Sequence, residues 1–152
     1  EIKEKNMRIS TKVEYGLIAI LDIAIHSAGS ESISSLKISE HNNIPRKFLE
    51  QIMISLRSAR LVTSVKGSKG GYRLVKSPEQ IKLTEVINAL DISLLEHQAI
   101  EENNGSIRSF LNENIWEKLN DSILNITDNV TLQDLIDKYS ESGDNNMMMF
   151  YI

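Results

Sequence analysis

Val62-Thr-Ser-Val65-Lys66-Gly67-Ser-Lys69-Gly70-Gly71-Tyr72-Arg73-Leu74-Val75 sets two short runs of β-type residues on either side of a basic, Gly-rich tip with no acidic residue. That pattern predicts a β-hairpin. Three glycines allow positive φ and close backbone approach at the tip, and Lys66, Lys69 and Arg73 put positive charge where a phosphate chain would run. Taken alone, such a hairpin is more often a solvated surface loop. What precedes it makes it a wing.

Ser34 to Arg60 reads as two short helices separated by a tight turn at His41-Asn42-Asn43-Ile44-Pro45, which is helix-turn-helix spacing. Ser34 or Ser35 serves as N-cap of the first helix, whose apolar contacts are assigned to Ile33, Leu36 and Ile38. Asn43 stands where a left-handed residue is wanted, and Pro45 fits the opening of the second helix. Phe48, Leu49, Ile52 and Leu56 recur there at helical spacing. The opposite face carries Arg46, Lys47, Glu50 and Gln51, side chains able to contact phosphates and hydrogen-bond base edges in a major groove.

The formal charge of -4 argues by itself against a nucleic-acid binder, but charge is segregated along the chain. Residues 7–77 hold 11 Lys+Arg against 5 Asp+Glu, and residues 78–152 hold 4 against 14. The basic half suits a polyanion, whereas the acidic half would face away from it, toward another protein or a second copy.

Met7-Arg-Ile-Ser-Thr-Lys-Val-Glu-Tyr15-Gly16-Leu, then Phe48-Leu-Glu50-Gln51-Ile, then Leu61-Val62 and the Lys66 to Tyr72 tip, resemble the Rrf2 family of bacterial winged-helix transcriptional regulators. The resemblance covers nearly the whole chain. It implies a mostly α fold with a small β-wing: a winged helix-turn-helix domain over 7–91, a dimerisation region with a long helix over 92–139, and a C-terminal tail over 140–152. It also implies a homodimer on a partly palindromic promoter site. By matching position, base and backbone reading falls on Lys47, Glu50, Gln51, Lys66 and Gly67, with Arg46, Lys69, Gly70 and Arg73 beside them. Arg8 and Lys12 are either phosphate contacts or a solvated helix end. Two positions depart from the family pattern. Lys66 replaces a common Arg and loses its planar fork, and Arg60 replaces a usual Gly, so either Arg60 is strained or the helix ends differently.

Many members of the family hold an iron-sulfur cluster through three cysteines, and this chain has none. His97 with Glu96, Glu101 and Glu102 lacks the soft thiolates a cluster needs and reads as an exposed acidic loop, so no cofactor is expected. His26 and His41 have no spaced partner and read as a helix-end and a turn residue. The ending Met147-Met-Met-Phe150-Tyr151-Ile152 resembles the tail of the cluster-free branch, the cysteine-metabolism repressors. That resemblance implies cysteine synthase as corepressor. The free carboxylate of Ile152 would enter the synthase active site in competition with O-acetylserine, with Phe150 and Tyr151 beside it. Alternatively the tail packs within the dimer as a strand or apolar plug.

Ile107, Phe110 or Leu111, Ile115, Leu119, Ile123 and Ile126 form a stripe along a helix of about five turns, with Trp116 as a neighbouring anchor. This is the expected dimerisation helix. Thr131-Leu-Gln-Asp134 resembles a capping box that opens a last helix reaching about Tyr139. No apolar run approaches the roughly 20 residues of a membrane span and no signal-peptide core is seen, so a cytoplasmic protein is expected. Enzyme motifs are missing: no cysteine nucleophile, Gly-x-Ser-x-Gly elbow, phosphate loop or His-Glu-x-x-His. Besides a repressor, the residues leave open an interaction protein that holds cysteine synthase with weak DNA binding, and a regulator with a different, direct effector.

Overall fold

The computed structural model describes residues 9–27, 31–94 and 105–149. Arg8, His97 with its neighbouring glutamates, and Phe150, Tyr151 and Ile152 lie outside the described residues. Helix α1 (Thr11–His26) opens on Ser10, whose hydroxyl accepts from the Val13 N–H at 3.3 Å. Its inner face, including Val13, Ala19, Ile20 and Ile23, is buried at the centre of the core. Gly16 lies against the Leu90 side chain, where a Cβ would collide.

Helices α2 (Ser35–Asn42) and α3 (Arg46–Ser58) form the helix-turn-helix. Ser34 caps α2 through the Lys37 N–H at 3.2 Å. Asn43 is left-handed at φ 52°, and the Ile44 N–H returns to the Ser39 carbonyl at 3.2 Å, which closes the helix end as a Schellman turn. Ile38 and Ile33 are buried in the core, although Ile33 precedes the helix, whereas Leu36 is 45% exposed and the apolar contact assigned to it is corrected. Ile33 also pairs with the wing through its backbone, as an isolated bridge to Tyr72. From α3, Leu49, Ile52, Met53 and Leu56 enter the core, each worth about 1.5–3 kcal/mol of burial. Phe48 meets Tyr15 of α1 edge-to-face at 5.5 Å.

Helix α3 also ends as a Schellman turn, with the Leu61 N–H on the Leu56 carbonyl at 3.0 Å. The left-handed residue here is Arg60, φ 58°. Of the two options open from sequence, the strained one holds: the helix ends where a Gly would end it, with Arg taking the Gly conformation.

Strands β1 (Val62–Val65) and β2 (Gly71–Leu74) pair antiparallel in the register Val62 to Leu74, Thr63 to Arg73, Ser64 to Tyr72 and Val65 to Gly71. The tip closes with the Gly70 N–H on the Gly67 carbonyl at 2.9 Å. Only Gly67 among the three wing glycines has positive φ, 115°. Gly70 and Gly71 are required for another reason: a Cβ would strike Val65 O at the first and Ile33 O at the second.

Helix α4 (Leu83–Leu90) packs Val86, Ile87 and Leu90 on α1 and α3. The long helix departs from expectation. Helix α5 (Ile107–Leu111) passes through a π turn (Asn112–Trp116) into α6 (Glu117–Asn129). Within the π turn the Glu117 N–H bonds to Asn112 O, five residues back. A stripe repeating every four residues drifts about 40° per step on an ordinary α-helix, and the wider π turn takes up part of that drift.

Helix α7 (Leu132–Met149) starts at the expected capping box: the Thr131 N–H donates to Asp134 Oδ2 at 2.9 Å, and the Asp134 N–H to Thr131 Oγ1 at 3.1 Å. The Thr131 contacts hold the exposed Asp134 carboxyl below its ordinary value. The helix does not stop near Tyr139 but continues to Met149, because no proline interrupts that stretch and its single glycine, Gly143, weakens the helix without breaking it. Leu83 N–H to Val130 O at 2.8 Å and Leu132 N–H to Ile81 O at 3.0 Å tie the starts of α4 and α7 together. Among the described residues no helix is long and apolar enough to cross a membrane.

Candidate nucleic-acid interface

With Leu49, Ile52, Met53 and Leu56 turned inward, α3 presents Arg46, Lys47, Glu50 and Gln51 to solvent in its first two turns. Sequence reasoning missed a further member of this face. Ile54 is 62% exposed, seven residues after Lys47 and three after Gln51, and therefore on the same side of the helix. The 47, 50, 51, 54 spacing was the available signal. An apolar side chain among polar readers suits contact with a thymine methyl group.

The wing cations do not form one cluster. Lys66, Gly67 and Lys69 are exposed at the tip, while Gly70 is half-buried. Ser32 Oγ donates to the Lys69 carbonyl at 2.7 Å, and Lys69 and Gly70 border an open cavity of about 700 Å³ with Ser34 and Lys37 at the start of α2. Arg73 is exposed at the base of the hairpin and borders a different cleft of about 850 Å³ beside Ile25, Lys76 and Ile136. The tip thus sits next to the helix-turn-helix, with Lys37 as an additional nearby cation, whereas Arg73 serves the α1 and α7 side. Lys12 is half-buried in the first turn of α1.

Lys76, where the chain leaves the wing, is committed elsewhere. Its Nζ lies 2.8 Å from Glu85 Oε2. Burial pushes the Glu85 carboxyl up, but Lys76 and the Lys82 backbone N–H pull it further down, so it titrates below its ordinary 4.5.

On the other side of the molecule, the α5 to α6 stripe is open. Ile107, Phe110, Leu111, Ile115, Trp116, Leu119 and Ile126 are exposed on the single chain, and Ile123 is half-buried. Ile107 at 81% and Ile126 at 61% sit at its two ends, so among the described residues the domain leaves the stripe largely uncovered. Histidines 26 and 41 are also not isolated: both reach Asp22, correcting the expectation that they lack a partner.

A helix-turn-helix with a hairpin stitched to its leading edge, basic on that side and with an apolar helix face left open, defines a winged-helix DNA-binding regulator. The chain belongs to the Rrf2 family, whose model, described as an iron-dependent transcriptional regulator, matches residues 9–138. It is similar to the HTH-type transcriptional regulator CymR of Bacillus subtilis, 33% identical over 147 residues, covering 96% of this chain and all of that one. It is also 37% identical over 132 residues to the regulator IscR of Pectobacterium carotovorum, covering 86% of this chain and 79% of the relative. Among solved structures, CymR, the global cysteine regulator of B. subtilis, superposes with a TM-score of 0.74 at 29% identity, covering 88% of this chain and 98% of that one. IscR of T. potens gives 0.76 at 33%, covering 92% and 93%. The protein is a transcriptional regulator and not an enzyme. The iron in the family's description does not fit this donor set as a thiolate-held cluster, because the chain has no cysteine.

Proposed function

We propose that the protein is a homodimeric repressor of cysteine and sulfur metabolism genes that reads a palindromic promoter site without an iron-sulfur cluster. Helix α3 enters the major groove, with Lys47, Glu50, Gln51 and Ile54 toward the bases and Arg46 toward phosphate. The wing tip, through Lys66, Gly67 and Lys69, follows the adjacent backbone. The observation that carries this reading is the pairing of end-to-end similarity to a regulator named for cysteine with a complete lack of cysteine in the chain. Dimerisation is supported by the open stripe from Ile107 to Ile126, which a second copy of the same helix would cover.

Control is assigned to cysteine synthase. The segment Phe150-Tyr151-Ile152 is assigned to contact with the synthase, and a carboxylate on Ile152 would present it the chemistry of an amino-acid substrate. O-acetylserine in excess would displace that segment, release the synthase and relieve repression.

Selection of bound genomic fragments, in parallel with and without the organism's cysteine synthase, tests both parts. The expected result is one shared palindrome upstream of cysteine or sulfur-transport genes, bound more tightly with the synthase present. A chain lacking Tyr151-Ile152 should lose the synthase effect and keep the palindrome. Unrelated fragments in both arms would overturn the repressor assignment, and equal synthase affinity for the shortened chain would overturn the tail mechanism.

A further inference from the structure

The chain has three histidines and no cysteine, so any capacity to hold a borderline transition-metal ion rests on imidazole and carboxylate. Two of the three histidines converge on one carboxylate. Asp22, on α1, has a side chain only 8% exposed. His26, one turn further along α1, brings Nδ1 to 2.7 Å from Asp22 Oδ1. His41, in the last turn of α2, brings Nδ1 to 3.3 Å from Oδ2. The ring centroids are 5.4 Å apart. Asn42 Nδ2 donates to Oδ2 at 2.8 Å and to the Ile38 carbonyl at 3.0 Å, holding the carboxylate from the α2 side.

A hydrogen bond between helices engages the His41 ring, and the Asp22 backbone carbonyl, 2.9 Å from Nδ1, engages the His26 ring. Protonated together, the two rings would still place two positive charges against a single carboxylate. As a donor set the same three groups are complementary. One possible ligand atom from each residue lies within 4.8 Å of the other two. On an ion with bonds of about 2.0–2.2 Å, neighbouring ligand atoms sit about 3–3.5 Å apart. The two nitrogen-to-oxygen separations already lie close to that range. The imidazoles can close the rest by side-chain rotation, because they are 48% and 46% exposed. The cluster borders an open cleft of about 500 Å³, lined also by Ile25, Ile136 and Tyr139, which gives an ion access and leaves room for water ligands.

We propose that Asp22, His26 and His41 form a site for a borderline divalent metal ion of the zinc class. The ion lies between the carboxylate and the two rings, and it replaces the Asp22 backbone carbonyl as the partner of His26 Nδ1. Nδ1 must be unprotonated to bind, so each neutral ring then carries its proton on Nε2. Asn42 keeps its bond to Oδ2 and orients the ligating carboxylate. The bound ion ties the end of α1 to the end of α2, two residues before the left-handed Asn43 that sets the angle of the recognition helix.

The test uses the full-length chain, free of any histidine tag, titrated with Co²⁺ and followed by its visible d–d absorption. One Co²⁺ per chain is expected, displaced by one equivalent of Zn²⁺. His97→Gln should keep this binding. His26→Gln and His41→Gln, which remove a direct ligand, should each weaken it by more than the roughly 10- to 100-fold that loss of an outer partner costs, and the double variant should abolish it. Glutamine keeps a hydrogen-bonding group beside Asp22, and circular dichroism checks the fold of each variant. Nitrogen-15 NMR of the wild-type imidazoles gives a readout that no variant can confound: Zn²⁺ should move the His26 and His41 signals and leave those of His97 in place. Absence of stoichiometric binding, binding lost on His97→Gln, or binding retained by the double variant would overturn the assignment.

Discussion

Ile33 and Tyr72 exchange both of their backbone hydrogen bonds, Ile33 N–H to Tyr72 O at 3.0 Å and Tyr72 N–H to Ile33 O at 2.8 Å. The residue leading into the helix-turn-helix therefore acts as a one-residue third strand of the wing. Hairpin and recognition unit are joined through main chain, which side-chain variation cannot easily loosen.

The junction depends on Gly71, where a Cβ would collide with the Ile33 carbonyl. Gly71→Ala should destabilise the fold by about 1–3 kcal/mol, measured by urea denaturation, and weaken DNA binding through the displaced tip. Unchanged stability would mean that the wing docks with more slack than this contact allows.

Arg60 holds a left-handed conformation that costs an L-residue about 1–2 kcal/mol. Glycine removes that cost but adds freedom to the unfolded chain. Arg60→Gly should therefore stabilise the protein, by about 0.5 kcal/mol, as a shift of the denaturation midpoint with unchanged slope.

Alanine at Glu50 or Gln51 should cost about 1–3 kcal/mol at the preferred site and relax base preference. Arg46→Ala, which removes a phosphate contact, should instead weaken all sequences and reduce the salt slope by about 1. Binding titrations at several salt concentrations separate the two behaviours. A preferred sequence unchanged in both Glu50→Ala and Gln51→Ala would remove these residues from base readout.

The exposed stripe on α5 and α6 predicts that Leu119→Glu combined with Trp116→Glu yields a monomer by analytical ultracentrifugation, without loss of helicity. Neither side chain supports the core of its own chain, so the fold should survive. A dimer that persists in this variant would locate the contact elsewhere.

Glu85 titrates below its ordinary 4.5 in the native state because Lys76 and the Lys82 N–H outweigh its partial burial. The unfolded state therefore takes up this proton first on acidification. The stability supplied by the contact is complete above pH 4.5 and is lost as pH falls through the lower native value. Denaturation of Glu85→Gln across the acid range should show a flatter loss than the wild type.

Much of the DNA-facing half was legible because local rules and tertiary structure agree there. Ser34, Asn43, the inward face of α3 and the paired strands of the wing obey capping, left-handed tolerance and periodicity within a few residues of one another. Ile54 was legible in principle, since the 47, 50, 51, 54 spacing lies within one helix. Leu36 turns outward, and Ile33 reaches the core from just before the helix, because an apolar residue near a short helix can face either way and period alone does not say which. The π turn at Asn112–Trp116 and the run of α7 past Tyr139 were hidden for a related reason: no proline or paired turn residues mark them.

Order and spacing along the chain were enough for the winged helix-turn-helix, the charge segregation, the apolar stripe and the incompatibility with a thiolate-held cluster, because each is a property of residue type and local period. The meeting of Asp22, His26 and His41, the separation of Arg73 from Lys69 and the bond between Ile33 and Tyr72 depend on how helices and hairpin dock. Docking is set by burial of a shared core, in which residues 15 to 39 positions apart become neighbours, and no local pattern encodes that distance.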